Sequence, residues 1–105
     1  MKNRSPNWGP SLSTSYAVVV PAYNEAGNLT ELCERIEKTF AEFGNRENFE
    51  ILIVDDGSTD GTADLLKTLS ADKPLVRFIR FRRNSGKSLA LMAGFQHVDA
   101  DIVVT

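Results

Sequence analysis

Two short runs, Ala17-Val18-Val19-Val20 and Ile51-Leu52-Ile53-Val54, constrain this chain more than anything else in it. Each is continuously apolar and rich in β-branched residues instead of alternating, the pattern of strands covered on both faces in a parallel sheet. Parallel neighbours need a crossover connection, and the sequence supplies one after every apolar run. Runs over 16–20, 49–54, 75–81 and 102–104 alternate with helical patterns over about 28–43, 62–70 and 85–98. The order is β-α-β-α-β-α-β, an α/β class, Rossmann-like open parallel sheet. The first helix is the clearest: Leu29, Leu32, Cys33, Ile36, Phe40 and Phe43 follow a 3.6-residue period, Asn28 stands as N-cap, and Glu34 and Lys38 form an i,i+4 pair.

Composition sets the remaining bounds. The 105 residues suffice for one small domain, expected over 16–105 after a flexible leader, 1–15, rich in Ser, Asn, Pro and Gly. With 42% hydrophobic and 25% charged residues the chain has an ordinary globular make-up. A net charge of −2 and a single short basic cluster, Arg77, Arg80, Arg82 and Arg83, argue against a nucleic-acid partner. The lone Cys33 excludes a disulfide scaffold or zinc finger and suits a reducing compartment, hence a cytoplasmic location. No apolar run approaches the roughly 18 residues of a membrane span.

An open α/β sheet binds ligands beyond the carboxyl ends of its strands. After the first run stands Pro21-Ala22-Tyr23-Asn24-Glu25, which joins a fixed φ, an aromatic face, an amide and a carboxylate. It reads as one side of a nucleotide pocket, or as a Pro turn whose Asn24 and Glu25 cap the next helix. After the second run stands Asp55-Asp56-Gly57-Ser58-Thr59-Asp60-Gly61-Thr62. Asp60 or Thr62 accounts for the cap of the following helix. Capping does not account for Asp55 and Asp56: two acids at the end of an apolar strand cost solvation unless a ligand, a cation or strong hydrogen bonds hold them. A carboxylate there accepts N–H groups from a uracil or guanine edge. After the third run, Arg83 and Lys87 in Arg82-Arg83-Asn84-Ser85-Gly86-Lys87-Ser88 suit a diphosphate, or form a solvated basic turn.

Three tempting motifs fail. A P-loop needs Gly where Phe81 stands, and no G-x-G-x-x-G is present. Asp99-Ala100-Asp101 has metal-motif spacing but precedes its strand, so it belongs to the opposite rim of the sheet and reads as a turn. His97 reads as a surface residue.

The segments Val18 to Glu25, Val54 to Thr62 and Arg83 to Lys87, in that order and spacing, resemble the family 2 glycosyltransferases with the GT-A fold. The stretch from Asn84 to Thr105, with Gly86-Lys87, Ala90, Ala93-Gly94-Phe95 and Ile102 to Thr105, resembles the branch acting on polyisoprenyl phosphates, which includes dolichol-phosphate mannosyltransferase and the undecaprenyl-phosphate sugar transferases. The resemblance covers about 16–105, the N-terminal half of a GT-A fold. It implies that Pro21, Tyr23 and Glu25 line the nucleotide of a UDP- or GDP-linked sugar, that Asp56 bonds the base with Asp55 in support, and that Arg83, Asn84, Gly86 and Lys87 form the loop beside the donor, Lys87 toward the diphosphate. It also implies a divalent Mg²⁺ or Mn²⁺ held by an Asp-x-Asp motif directly after Ile102-Val103-Val104, a position beyond Thr105. The expectation is therefore a donor-binding part truncated before its metal motif, carrying no catalytic or metal residue of its own and inactive alone. Its full-length parent would work at the cytoplasmic membrane face on a lipid phosphate acceptor.

Two other classes compete with this one. A non-catalytic interaction module is suggested by the last apolar run, which as an exposed sheet edge invites self-association. A phospho-receiver is disfavoured because Arg82-Arg83 stand where its third acid belongs.

Overall fold

The structure, a computed structural model, describes residues 14–42 and 48–105. Most of the expected leader and the expected last helical residue, Phe43, lie outside these. The elements are β1 (Tyr16–Ala22), α1 (Leu29–Glu42), β2 (Phe49–Asp55), α2 (Thr62–Asp72), β3 (Val76–Arg80), α3 (Lys87–Gln96) and β4 (Ile102–Val104). The four strands form one sheet in the order β3-β2-β1-β4, and all three pairings are parallel. This is the alternating, Rossmann-like architecture that the apolar runs imply.

β1 and β2 run farther than their apolar cores. Their ladder continues through Pro21↔Val54 and Ala22↔Asp55, and the Asp56 N–H then donates to the Ala22 carbonyl at 2.8 Å. Pro21 is tolerated because β4 pairs with β1 only from Tyr16 to Val18, so the missing N–H of Pro21 faces no neighbouring strand.

Side chains alternate across the sheet and divide the core in two. On one face Ile51, Ile53, Phe49 and Val76 meet Leu29 and Cys33 of α1 and Leu66 and Leu69 of α2. Phe40 stacks on Phe49 at 4.5 Å between ring centroids and leans on Tyr16 at 5.2 Å. On the other face Val19 and Val54 meet Ala90 of α3, flanked by Ile79, Phe81, Leu91 and Val98. Gly94 lets α3 lie close there: a Cβ at this position would sit 2.3 Å from Val19 Cγ1.

The α1 stripe is narrower than the sequence suggests. Leu29, Cys33, Ile36 and Phe40 follow 4-3-4 spacing and are at least half-buried, while Leu32 falls beside that line and is 36% exposed. The expected Glu34–Lys38 pair is replaced: Glu31 pairs with Arg35 (2.9 Å), and Glu37 reaches across to Lys73 of α2 (2.8 Å). That bond holds the Lys73 ammonium above its ordinary pKa. Burial pushes the Cys33 thiol up, consistent with a packing role.

Candidate functional site

The carboxyl ends of β1, β2 and β3 converge on one edge of the sheet, and three loops leave from it. Because successive residues point to opposite faces, Asp55 and Asp56 do not act as a pair. Asp55, fully buried, turns toward the α1/α2 face, and Asp56, 4% exposed, turns toward α3.

Asp56 is the centre of the site. Its Oδ1 accepts the Ser85 N–H at 2.7 Å, while Oδ2 accepts the Gly86 N–H at 3.0 Å and the Asn84 amide at 3.2 Å. Asn84 also donates to the Asp56 carbonyl at 3.3 Å. Gly86 precedes the first turn of α3, where N–H groups lack intrahelical acceptors, so the carboxylate both satisfies one of them and complements the helix dipole. The loop pair also needs Gly57. At its φ of +77° a side chain is strained, and a Cβ would lie 2.2 Å from the carbonyl carbon of Arg83.

Asp55 has a different environment. Oδ1 accepts the Ser58 N–H at 3.0 Å, whereas Oδ2 is buried without a hydrogen-bond partner, 3.7 Å from Arg80 Nε. The partial ion pair follows from register, since Asp55 and Arg80 are opposite each other on β2 and β3. Arg80 was legible only as part of a basic cluster. Of that cluster, Arg77 is taken by Glu50 at 2.8 Å, and Arg82 and Arg83 make no ion pair with another described residue.

The sequence offers Asn24 as a possible cap for the next helix, and the structure gives it another task. With φ at +53°, a region that Asn tolerates, its Oδ1 accepts the N–H groups of Thr59 (2.8 Å) and Asp60 (3.3 Å), and its own N–H donates to Ser58 Oγ (2.8 Å). It ties the loop after β1 to the loop after β2. Asn28, the expected N-cap, does accept the Leu32 N–H through its carbonyl, but its side-chain amide donates to Glu25 Oε1 at 2.9 Å. Asp60 accepts both the N–H and the hydroxyl of Thr62 at the start of α2, which holds its carboxyl below the usual range.

The sequence-derived residues thus gather on one edge. Tyr23 presents a ring that is 44% exposed, Glu25 is exposed beside Asn28, and Pro21 leads into them. Arg83 lines an open groove of about 500 Å³ between the 81–85 loop and α3, with Arg82, Leu89 and Met92. Lys87 is exposed at the first position of α3 and makes no ion pair with another described residue. Asp101 lies at the opposite rim, where its Oδ2 accepts the N–H and hydroxyl of Ser15 and so ties the start of β1 to the start of β4. His97 is exposed. Among the described residues no three His, Cys, Asp or Glu side chains come together, so they do not by themselves fit a divalent cation.

Known proteins share this fold. The model of the glycosyl transferase family 2 matches residues 17–105. The chain belongs to the family 2 glycosyltransferases. The undecaprenyl-phosphate 4-deoxy-4-formamido-L-arabinose transferase of Pseudomonas syringae is 42% identical over 91 residues, covering 85% of this chain and 26% of the relative. The same-named transferase of Klebsiella pneumoniae is 40% identical over 90 residues, covering 85% and 27%. The family 2 chain therefore spans about a quarter of the length of the curated relatives it matches. Among solved structures, the mannosyltransferase PcManGT of Pyrobaculum calidifontis, in complex with GDP-Man and Mn²⁺, aligns with TM-score 0.75 at 28% identity, covering 92% of this chain and 28% of that one. Staphylococcus aureus TarS shares the fold, with TM-score 0.69. No helix among the described residues of this family member is long and apolar enough to cross a membrane.

Proposed function

We propose that residues 16–105 form the donor-nucleotide part of an enzyme that transfers a sugar from a UDP- or GDP-linked donor to a polyprenyl phosphate. The observation that carries this is the buried Asp56 carboxylate, fixed by three donors at the ligand edge of a parallel sheet. In this reading Asp56 accepts the imino N–H of the base, Asp55 supports the strand end, and Pro21, Tyr23 and Glu25 line the nucleoside. Arg83 and Lys87 face the diphosphate, and Asn84 and Gly86 hold the loop between them. Two cations that form no ion pair with another described residue, beside a helix start, suit phosphate oxygens. The names of the relatives support a lipid-phosphate acceptor, whose phosphate oxygen would attack the anomeric carbon as the nucleoside diphosphate departs with the bonding electron pair. An ionised phosphate needs little help from a base, so positioning and electrostatics dominate. The Mn²⁺ in the Pyrobaculum complex supports a divalent cation for the whole enzyme, where it would stabilise the departing diphosphate. Work on a lipid phosphate with a water-soluble donor fits the cytoplasmic membrane face.

Calorimetric titration of wild type and Asp56→Ala with UDP and GDP tests the reading. Binding that is lost in the variant supports it, and equal affinity of the two proteins refutes it. A second reading, self-association, rests on β4: it is an edge strand, and Val103 and Val104 are 40% and 44% exposed. A concentration-independent monomer in analytical sedimentation refutes that one.

A further inference from the structure

We propose that the groove between α3 and the end of β3 docks the chain on an anionic lipid bilayer. From Leu89 to Phe95, α3 carries seven residues in succession without a polar side chain, yet only Ala90 and Gly94 of them are buried. A helix that is apolar on all sides is ordinarily covered on all sides, and here Leu89 and Met92 stand 52% and 54% exposed. They face Phe81, Arg82 and Arg83 across the open groove of about 500 Å³, and those two arginines are the only charges among its described lining residues. Neither makes an ion pair with another described residue. The helix adds no acid, since Lys87 is its one charged side chain.

Apolar side chains rimmed by cations match a leaflet in which anionic headgroups overlie acyl chains: Leu89 and Met92 reach the acyl boundary while Arg82 meets a headgroup phosphate. A free phosphate would leave the apolar side chains in water, and an apolar protein surface would leave the guanidinium unanswered. The bilayer as occupant rests on the lipid-phosphate acceptor proposed above, because an enzyme for such an acceptor has to meet the surface in which it is embedded. In that reading Arg83 faces the donor diphosphate, which leaves Arg82 for the headgroups. The groove opens beside β3, one edge strand of the sheet, while β4 is the other, so strands added beyond β4 would leave it uncovered. It also adjoins the carboxyl-end rim on which Asp56 lies, so a docked chain would hold its donor site at the membrane surface. A net charge of −2 works against general attraction to an anionic surface, so attachment has to come from a local patch.

Co-sedimentation of the chain with lipid vesicles, beside titration with UDP and GDP, tests this. The chain should bind vesicles that mix phosphatidylglycerol with phosphatidylcholine, bind phosphatidylcholine alone more weakly, and bind the mixture less as salt is raised. Leu89→Gln combined with Met92→Gln should weaken vesicle binding by about tenfold or more, and Arg82→Gln by about fivefold. Lys67→Gln removes an exposed cation from α2, on the other face of the sheet, and should change nothing. Leu89, Met92 and Arg82 are exposed, so these variants should stay folded and keep the wild-type affinity for nucleotide. A wild type that binds nucleotide but no vesicle overturns the docking surface and leaves the proposed function intact. Vesicle binding without nucleotide binding overturns the donor-site reading and leaves the surface standing. Equal losses in Lys67→Gln and Arg82→Gln mark diffuse adsorption and overturn the groove. A concentration-dependent dimer that the double variant abolishes, with no vesicle binding, assigns the groove to a second copy and overturns the bilayer.

Discussion

The two faces of the sheet are held by different means. Among the described residues the α1/α2 face buries nine in one cluster and adds Phe40, stacked on Phe49 of that cluster, whereas the α3 face buries three. α3 instead leaves Leu89, Met92 and Phe95 about half exposed and is fastened at its start by the Asp56 carboxylate. One face is stabilised by apolar area, at roughly 25 cal/mol per Å², and the other by a few directed polar bonds. Polar bonds are local and exchangeable, so the weakly packed face is the one on which a ligand can act.

Substitutions at the loop contact should separate these two means most sharply. Gly57→Ala drives a methyl group into the Arg83 backbone at a positive φ, and a loss above about 4 kcal/mol is expected in urea unfolding, with α3 amides losing exchange protection first. Leu66→Ala opens a cavity in the larger cluster, where Leu66 is fully buried, and should cost about 3 kcal/mol, spread over all elements. Equal loss of protection in α3 and α2 for Gly57→Ala would erase the distinction between the faces.

Asp56→Ala strands the Ser85 and Gly86 amides and should cost about 2 kcal/mol, concentrated in α3 when hydrogen exchange is read residue by residue. Asp55→Asn keeps an acceptor for Ser58 and should cost less. If it costs more than Asp56→Ala, the α1/α2 face depends on its polar end as well.

The smallest effect is at Asp60. Its carboxyl is held low by the Thr62 hydrogen bonds, so the stability it contributes is present above the unfolded-state value and is lost as pH falls through the folded one. Between about pH 5 and about pH 2, Asp60→Asn should flatten part of the acid limb of the urea midpoint and leave neutral stability nearly unchanged. An identical acid limb in the variant would assign that limb to other carboxylates.

Most of the fold was legible because apolar runs and helical periods are local. The buried β-branched runs marked β1 and β2, and the position of Asp99-Ala100-Asp101 before an apolar run already put it on the far rim. Strand order was not legible, since nothing within a strand names its neighbour. The site was legible as a set of residues but not as a set of bonds. Alternation along β2 does imply that Asp55 and Asp56 face apart. What fills the Asp56 carboxylate comes from residues about thirty positions on, in the 84–86 segment, whereas Asp55 is held locally by Ser58. Asn24 was ambiguous for the same reason: its amide suits a local cap or a distant loop, and only the parallel pairing of β1 with β2 brings Thr59 within reach. Leu32 and the Glu34–Lys38 pair misled because helical spacing gives adjacency without saying how wide the covered stripe is.

The pairing of β1 with β4 has a consequence for the order of assembly. β1 meets β2 after one crossover, but the Ser15–Asp101 contact beside β4 joins positions 86 residues apart, and the ladder it secures is three residues long. Closing the longer loop costs more chain entropy and returns fewer bonds. β4 should therefore be the last strand to add in folding and the first to detach in native-state fluctuations, making β1, β2 and the α1 crossover between them the kinetic nucleus of the chain.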